Sequence, residues 1–275
     1  MVVLEEGGVR FYMDSHLSTQ LGMVRGLVED DDDYVLLVTG QEGAGKSVFA
    51  MQVARRLDPG FCLDRVVFNP KDFEKRVLGA RPRECIVYDE AYGGLSSSGG
   101  LTAISRKLVG LMTQMRQKNL FVIVVLPSLW LLNWYAAVHR SRGLFYVYRN
   151  HGKRGYWAYY NSKRKNLLYE LPRKLRSRND VNPNFRGRFL NEYVVDEAAY
   201  RRKKALALRE KDIVEDEPKY IVQRNVLIYL LNRVHGVTLD VLRKECKERG
   251  VVLSKSALGY AVKRVEKHGA EEEEE

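Results

Sequence analysis

Cysteine is scarce and scattered: Cys62, Cys85 and Cys246 are the only three thiols in the chain. An odd number at such wide spacing argues against a disulfide framework or a zinc cluster and fits a reducing compartment. The three read as small buried apolar residues. No charged segment followed by an apolar run opens the sequence, so no secretory signal is expected. Long apolar stretches are also few. One, Leu120 to Val138, carries no formal charge, but it starts with the β-favouring series Phe121-Val122-Ile123-Val124-Val125, breaks at Pro127 and contains Ser128 and Asn133. A spanning helix needs about 20 apolar residues. A buried strand followed by a short helix, Leu129 to Val138, accounts for the breaks instead. The expectation is a cytoplasmic protein with no stable membrane insertion.

Acidic residues are missing altogether from Ala91 to Tyr169, in a chain of formal net charge +11. That span holds Arg106, Lys107, Arg116, Lys118, Arg140, Arg142, Arg149, Lys153, Arg154, Lys163, Arg164 and Lys165. Solvated surfaces normally mix both signs, so a long single-sign run points to a polyanion, here DNA. A basic face that keeps the protein soluble, or that meets the acidic N-terminus ending in Glu29-Asp30-Asp31-Asp32-Asp33, is the competing reading. With 275 residues, 45% apolar and 29% charged, the chain is globular and has room for a nucleotide-binding domain and a smaller second one.

The pattern along the chain is α/β. Val9–Met13 reads as a short strand and His16–Leu27 as a helix capped by Ser15. Tyr34–Thr39, Arg65–Asn69, Cys85–Tyr88 and Leu120–Leu126 read as strands. Lys46–Leu57, Lys71–Leu78 and Thr102–Lys118 read as helices between them. Gly143–Tyr148 and Tyr156–Tyr160 flank Asn150-His151-Gly152 as a hairpin. Alternating strands and helices make a parallel sheet covered on both faces. The expected division is an acidic segment 1–33, a sheet domain 34–170, a charged linker 171–217, a small helical domain 218–268 and an acidic tail 269–275.

Gly40-Gln41-Glu42-Gly43-Ala44-Gly45-Lys46-Ser47 satisfies G-x-x-x-x-G-K-[ST] between a buried strand and a helix whose first turn continues with Val48. Glycines let backbone N–H groups turn inward around phosphates, and the helix N-terminus adds a favourable dipole. Lys46 reaches the β/γ-phosphates of ATP, and Ser47 ligates Mg²⁺. The apolar strand Cys85–Tyr88 ends in Asp89 and Glu90, placed to hold the Mg²⁺ shell and to activate the attacking water. Ser128, at the tip of the next strand, is either a γ-phosphate sensor or the N-cap of the helix after it. Arg140 and Arg142 suit transition-state charge in a neighbouring subunit's site, or contact with DNA.

In the small domain, Lys219–Arg233 reads as a helix with Leu227, Leu230, Leu231 and Val234 on its core side. Thr238 and Ser254 cap two more helices. The last exposes Lys255, Ser256, Tyr260, Lys263 and Arg264, as a winged-helix or helix-turn-helix unit would toward a major groove; a protein-docking module is the alternative.

The phosphate loop, Tyr88-Asp89-Glu90-Ala91 and Met115-Arg116-Gln117-Lys118-Asn119-Leu120 together resemble additive-strand P-loop ATPases of the FtsK/HerA group, including zonular-occludens-toxin-like and viral packaging ATPases. Residues 34–165 carry the resemblance. In that group the strand after Walker B ends in Gln, whereas here it ends in Leu126-Pro127-Ser128. The placement of Arg140 and Arg142 is also similar to initiator-type AAA+ ATPases. The resemblance implies a homo-oligomeric, ring-forming motor that moves or packages DNA, encoded by a virus or mobile element. An ATP-controlled initiator switch, or a nucleotide-regulated transcription factor, are the alternatives.

Overall fold

A computed structural model describes residues 2–29, 32–89, 110–171, 180–213 and 219–272. Glu90, Arg106 and Lys107 lie outside the described residues. The chain divides into two compact units, Met1–Lys211 and Asp212–Glu275.

Unit 1 is built on a seven-stranded sheet in the order β4-β5-β6-β3-β7-β8-β9. The strands are β3 (Tyr34–Gly40), β4 (Val66–Val67), β5 (Cys85–Tyr88), β6 (Phe121–Val125), β7 (Ser141–Asn150), β8 (Lys153–Asn161) and β9 (Phe185–Arg188). From β4 through β7 all pairings are parallel, and β8 and β9 add antiparallel at one edge. The central strands are apolar at nearly every position because both of their faces are covered. Alternate residues serve opposite faces. Leu36, Val38, Val87, Ile123 and Phe145 pack toward α2 (Lys46–Leu57) and α1 (Ser15–Glu29). Val35, Leu37, Ile86, Val122 and Leu144 pack toward α3 (Pro70–Gly79), α4 (Met112–Gln117) and α5 (Ser162–Glu170).

Several expectations change. The cap of α1 is Asp14, whose Oδ1 accepts from Leu17 N at 3.1 Å, and Ser15 is already helical. Only Val66–Val67 of the strand expected over Arg65–Asn69 pairs, because Leu63–Arg65 winds into a 3₁₀ turn and Asn69 caps α3. The helix expected over Leu129–Val138 is a 3₁₀ turn, Leu129–Leu131, and a π-helix, Tyr135–Arg140.

Neither flank of the sheet is an appendage. β1 (Val2–Glu6) and β2 (Val9–Met13) form a hairpin, and Phe11, Met13, Leu17, Leu21 and Val28 join the same core as α2. In the expected linker, β9 pairs with β8, and α6 (Glu197–Ile213) brings Tyr200 and Ala207 into that core. Charge content along 171–217 hides this packing, because the buried positions are few and widely spaced.

Unit 2 contains α7 (Lys219–Tyr229), a π turn Leu230–Val234, α8 (Leu239–Glu248) and α9 (Lys255–Glu272). α9 therefore runs into the expected acidic tail. Thr238 and Ser254 cap as expected, accepting from Val241 N at 3.4 Å and Ala257 N at 3.1 Å. No strand occurs among the described residues of this unit, so it lacks the wing of a winged helix there. The expected core side of α7 is wrong. Ile228 is buried against Leu258, Ala261 and Val262, while Leu227 and Val234 are 59% and 63% exposed. Asn225, also buried, shares the inward face with Ile228, so one polar position conceals the true stripe from a reading of apolar period.

Candidate functional site

The parallel strands end together. Tyr88 pairs with Val124, Val38 with Val125, and Gly40 with Val147, so the loops after β3, β5 and β6 meet at one edge of the sheet. β6 stands between the strand entering the glycine turn and the strand leading to Asp89. Crevices beyond the carboxyl ends of parallel strands are where α/β sheets bind ligands.

Gly40, Gly43 and Gly45 have φ of 140°, 64° and 98°, which only glycine adopts without strain. Gly45 is the N-cap residue of α2, and a side chain there would meet the ring of Phe189. Lys46 Nζ curls back over the loop and donates to the carbonyls of Gly40 and Gln41, both at 3.0 Å. Gln41 Oε1 accepts from Arg149 N at 3.0 Å, and the Arg149 guanidinium donates to Gly43 O at 3.1 Å. Glu42 is exposed, while Ala44 and Val48 are buried and anchor the loop to the core.

Ser47 Oγ donates to Asp89 Oδ1 at 3.0 Å. Asp89 is 1% exposed, and its other oxygen accepts from the Tyr200 hydroxyl at 2.5 Å, with Lys204 Nζ at 3.8 Å. Burial, and then the charge of Asp89, raise the Tyr200 pKa far above the ordinary phenol value, so this hydroxyl stays protonated and acts as a donor. A hydroxyl and a carboxylate side by side at the end of this glycine turn suit Mg²⁺. That cation prefers oxygen and takes one or two protein ligands, filling the rest with water and phosphate.

A segment that the sequence reads only as charged linker borders this site. After β9, residues 189–195 cross α2 as a strap. Gln52 Nε2 donates to Leu190 O at 2.8 Å and Glu192 O at 2.7 Å, and Arg55 donates to Val194 O at 3.0 Å. These bonds explain why Gln52 and Arg55 are buried among the apolar residues of α2. The strap delivers α6, whose Lys203 Nζ donates to Leu63 O at 3.0 Å and Val66 O at 2.8 Å. Gln52 within the apolar run Val48–Val53 was the available sequence signal.

The remaining candidates separate. Ser128 follows β6 beside the loop, where Gly40 N donates to Pro127 O at 3.4 Å, but its hydroxyl makes no cap bond to the 3₁₀ turn after it. Arg140 and Arg142 stand at the opposite end of the sheet. Val35 pairs with Ser141 while Gly40 pairs with Val147, a separation of more than about 15 Å at ~3.3 Å per residue. Arg140 is bound to buried Asp33, and Arg142 to Asp32 at 2.5 Å. Neither reaches this chain's own Gly40–Ser47 turn. In unit 2, Lys255, Ser256, Tyr260 and Lys263 are exposed on α9 as expected; Lys255 pairs with Asp240 at 2.7 Å, and Arg264 lies over the Tyr260 ring.

No helix among the described residues is long and apolar enough to cross a membrane. Comparison with protein-family models returned no match, and neither did comparison with curated proteins.

Proposed function

We propose that this chain binds ATP with Mg²⁺ and hydrolyses it, working as a homo-oligomer that moves or remodels DNA. The observation that carries the reading is the 3.0 Å contact between Ser47 Oγ and Asp89 Oδ1, formed between the loops of two strands that β6 separates. The loop glycines turn backbone donors toward the phosphates, and α2 adds its N-terminal dipole. Lys46 is already curled over the turn and exchanges two carbonyl partners for β/γ-phosphate oxygens. Ser47 and Asp89 would hold the metal, which when bound would neutralise charge on the phosphate oxygens. Glu90, directly after Asp89 in sequence, is the base that orients and deprotonates water. The basic face supports DNA as the polymer on which the energy is used.

Steady-state ATP turnover, with and without long duplex DNA, tests this. Wild type is expected to hydrolyse ATP faster with DNA. Lys46→Ala should lose ATP binding, while Glu90→Gln should keep binding and stop turnover, since losing the base removes only the chemical step. Near-normal turnover in Glu90→Gln would refute the base. Slow turnover with protection of one DNA site would replace the motor with an ATP-controlled switch.

A further inference from the structure

Asp89 is held from both sides. Ser47 Oγ lies 3.0 Å from Oδ1, and the Tyr200 hydroxyl lies 2.5 Å from Oδ2. The carboxylate is 1% exposed and Tyr200 is 3% exposed, so the contact between them is buried. Lys204, one helical turn beyond Tyr200, brings its ammonium to 3.8 Å from the same Oδ2. The hydroxyl's position does not depend on the carboxylate. Its ring packs against Phe68 and Tyr193 at centroid distances of 6.0 and 5.6 Å, and Lys203 ties the same helix to the carbonyls of Leu63 and Val66.

We propose that Tyr200 is a positioning residue for Asp89: its hydroxyl holds Oδ2 so that Oδ1 stays beside Ser47 and the pair is presented ready-made to Mg²⁺. This rests on the Mg²⁺–nucleotide reading of the site. A carboxylate that ligates a metal with one oxygen must not rotate away between binding events. Outer partners of such ligands typically change metal affinity by about 10–100-fold when removed. The assignment also makes α6, the last helix of unit 1, part of the nucleotide site.

The test is Tyr200→Phe in the full chain, which keeps the ring and removes one oxygen. Mg²⁺ is titrated against a fluorescent ATP analogue, and analogue binding is measured separately in EDTA. The Mg²⁺ midpoint should rise by about 10-fold or more, with metal-free analogue affinity unchanged. A merely structural role would lower both affinities or neither. Protein lost irreversibly lowers the amplitude and not the midpoint. Reversible unfolding would weaken the metal-free affinity as well, so the measurement in EDTA separates a folding defect from the positioning role. An unchanged midpoint overturns the proposal, and so does a lower one, which would make the hydroxyl a competitor of the metal. If wild type binds no analogue, the nucleotide reading fails and this role with it. If wild type binds, Lys46→Ala does not, and Tyr200→Phe matches wild type, only the positioning role fails.

Discussion

At Gly40 the backbone sits at φ 140°, and a Cβ built there would overlap the carbonyl of Val147 on the neighbouring strand. The turn can therefore leave β3 only if the residue has no side chain. Gly40→Ala should cost at least about 1–3 kcal/mol from strain and abolish nucleotide binding. Gly8 has φ 75° but open space around it, so Gly8→Ala should cost strain alone and leave nucleotide affinity intact. Thermal melts paired with analogue titrations separate the two. Lys165 presents another kind of constraint. It is wholly buried, and its Nζ donates to Ala137 O, to Val138 O at 3.2 Å and to Asn166 Oδ1 at 2.8 Å. Burial pulls its pKa from 10.5 down to about 8. Between those values the unfolded chain binds more protons than the native one, so stability attributable to Lys165 rises with pH from about 8 toward 10.5. Lys165→Met should lose that rise and, at neutral pH, expose unsatisfied carbonyls at a cost of about 1–3 kcal/mol. Denaturant melts of both proteins from pH 7 to 9.5 would show it; parallel pH profiles would rule the assignment out.

Among the elements, those with one strong periodicity were legible in the sequence. α2 matches its expected bounds at Lys46–Leu57, and β5 matches at Cys85–Tyr88, because an apolar run between clear stop signals has few alternatives. The positive-φ glycines of the turn Gly40–Gly45 were legible for the same reason: glycine spacing reports backbone conformation directly. Elements shaped by distant partners were not. In the π-helix Tyr135–Arg140 the carbonyls of Ala137 and Val138 accept from the ammonium of Lys165, which lies beyond the following hairpin. β9 reads Phe-Arg-Gly-Arg and carries no strand signal of its own, but Gly187 lets it pass over the indole of Trp157. The strap depends on Gln52 in the same way. Gln52→Leu removes both donors to Leu190 O and Glu192 O. It should cost about 1–3 kcal/mol, the penalty for stranding buried acceptors. Hydrogen exchange at residues 189–195 should quicken while α3 stays protected. Uniform exchange across unit 1 would mean that the strap is not held locally.

For the molecule as a whole, the net charge of +11 overstates what is left for a polyanion. Arg140 and Arg142 are taken up by Asp33 and Asp32, which is the internal use of the basic stretch weighed against DNA in the sequence. Lys118 donates to Val77 O and Leu78 O, Arg164 to Asn182 O and Pro183 O, and Lys165 is buried. Lys153, Arg154 and Lys163 remain exposed on unit 1, joined by Arg186 and Arg188 of β9. On unit 2, Lys263 is exposed, while Lys255 has its charge partly offset by Asp240. The proposed DNA contact can therefore be assigned to one surface by salt dependence. Each phosphate contact adds about 0.9 to the slope of log affinity against log salt. In the full chain, Lys153→Ala with Lys163→Ala should flatten the slope by about 1.8 if the sheet edge grips DNA. Lys255→Ala with Lys263→Ala should flatten it by less than that even if α9 grips DNA, because Asp240 already competes for Lys255. Measuring both pairs on one long duplex at several salt concentrations decides between the surfaces. A wild-type slope in the first pair and a lowered one in the second would place the grip on unit 2. Wild-type slopes in both would remove these lysines from the contact and leave the exposed Leu227 and Val234 of unit 2 as the surface to examine for a protein partner.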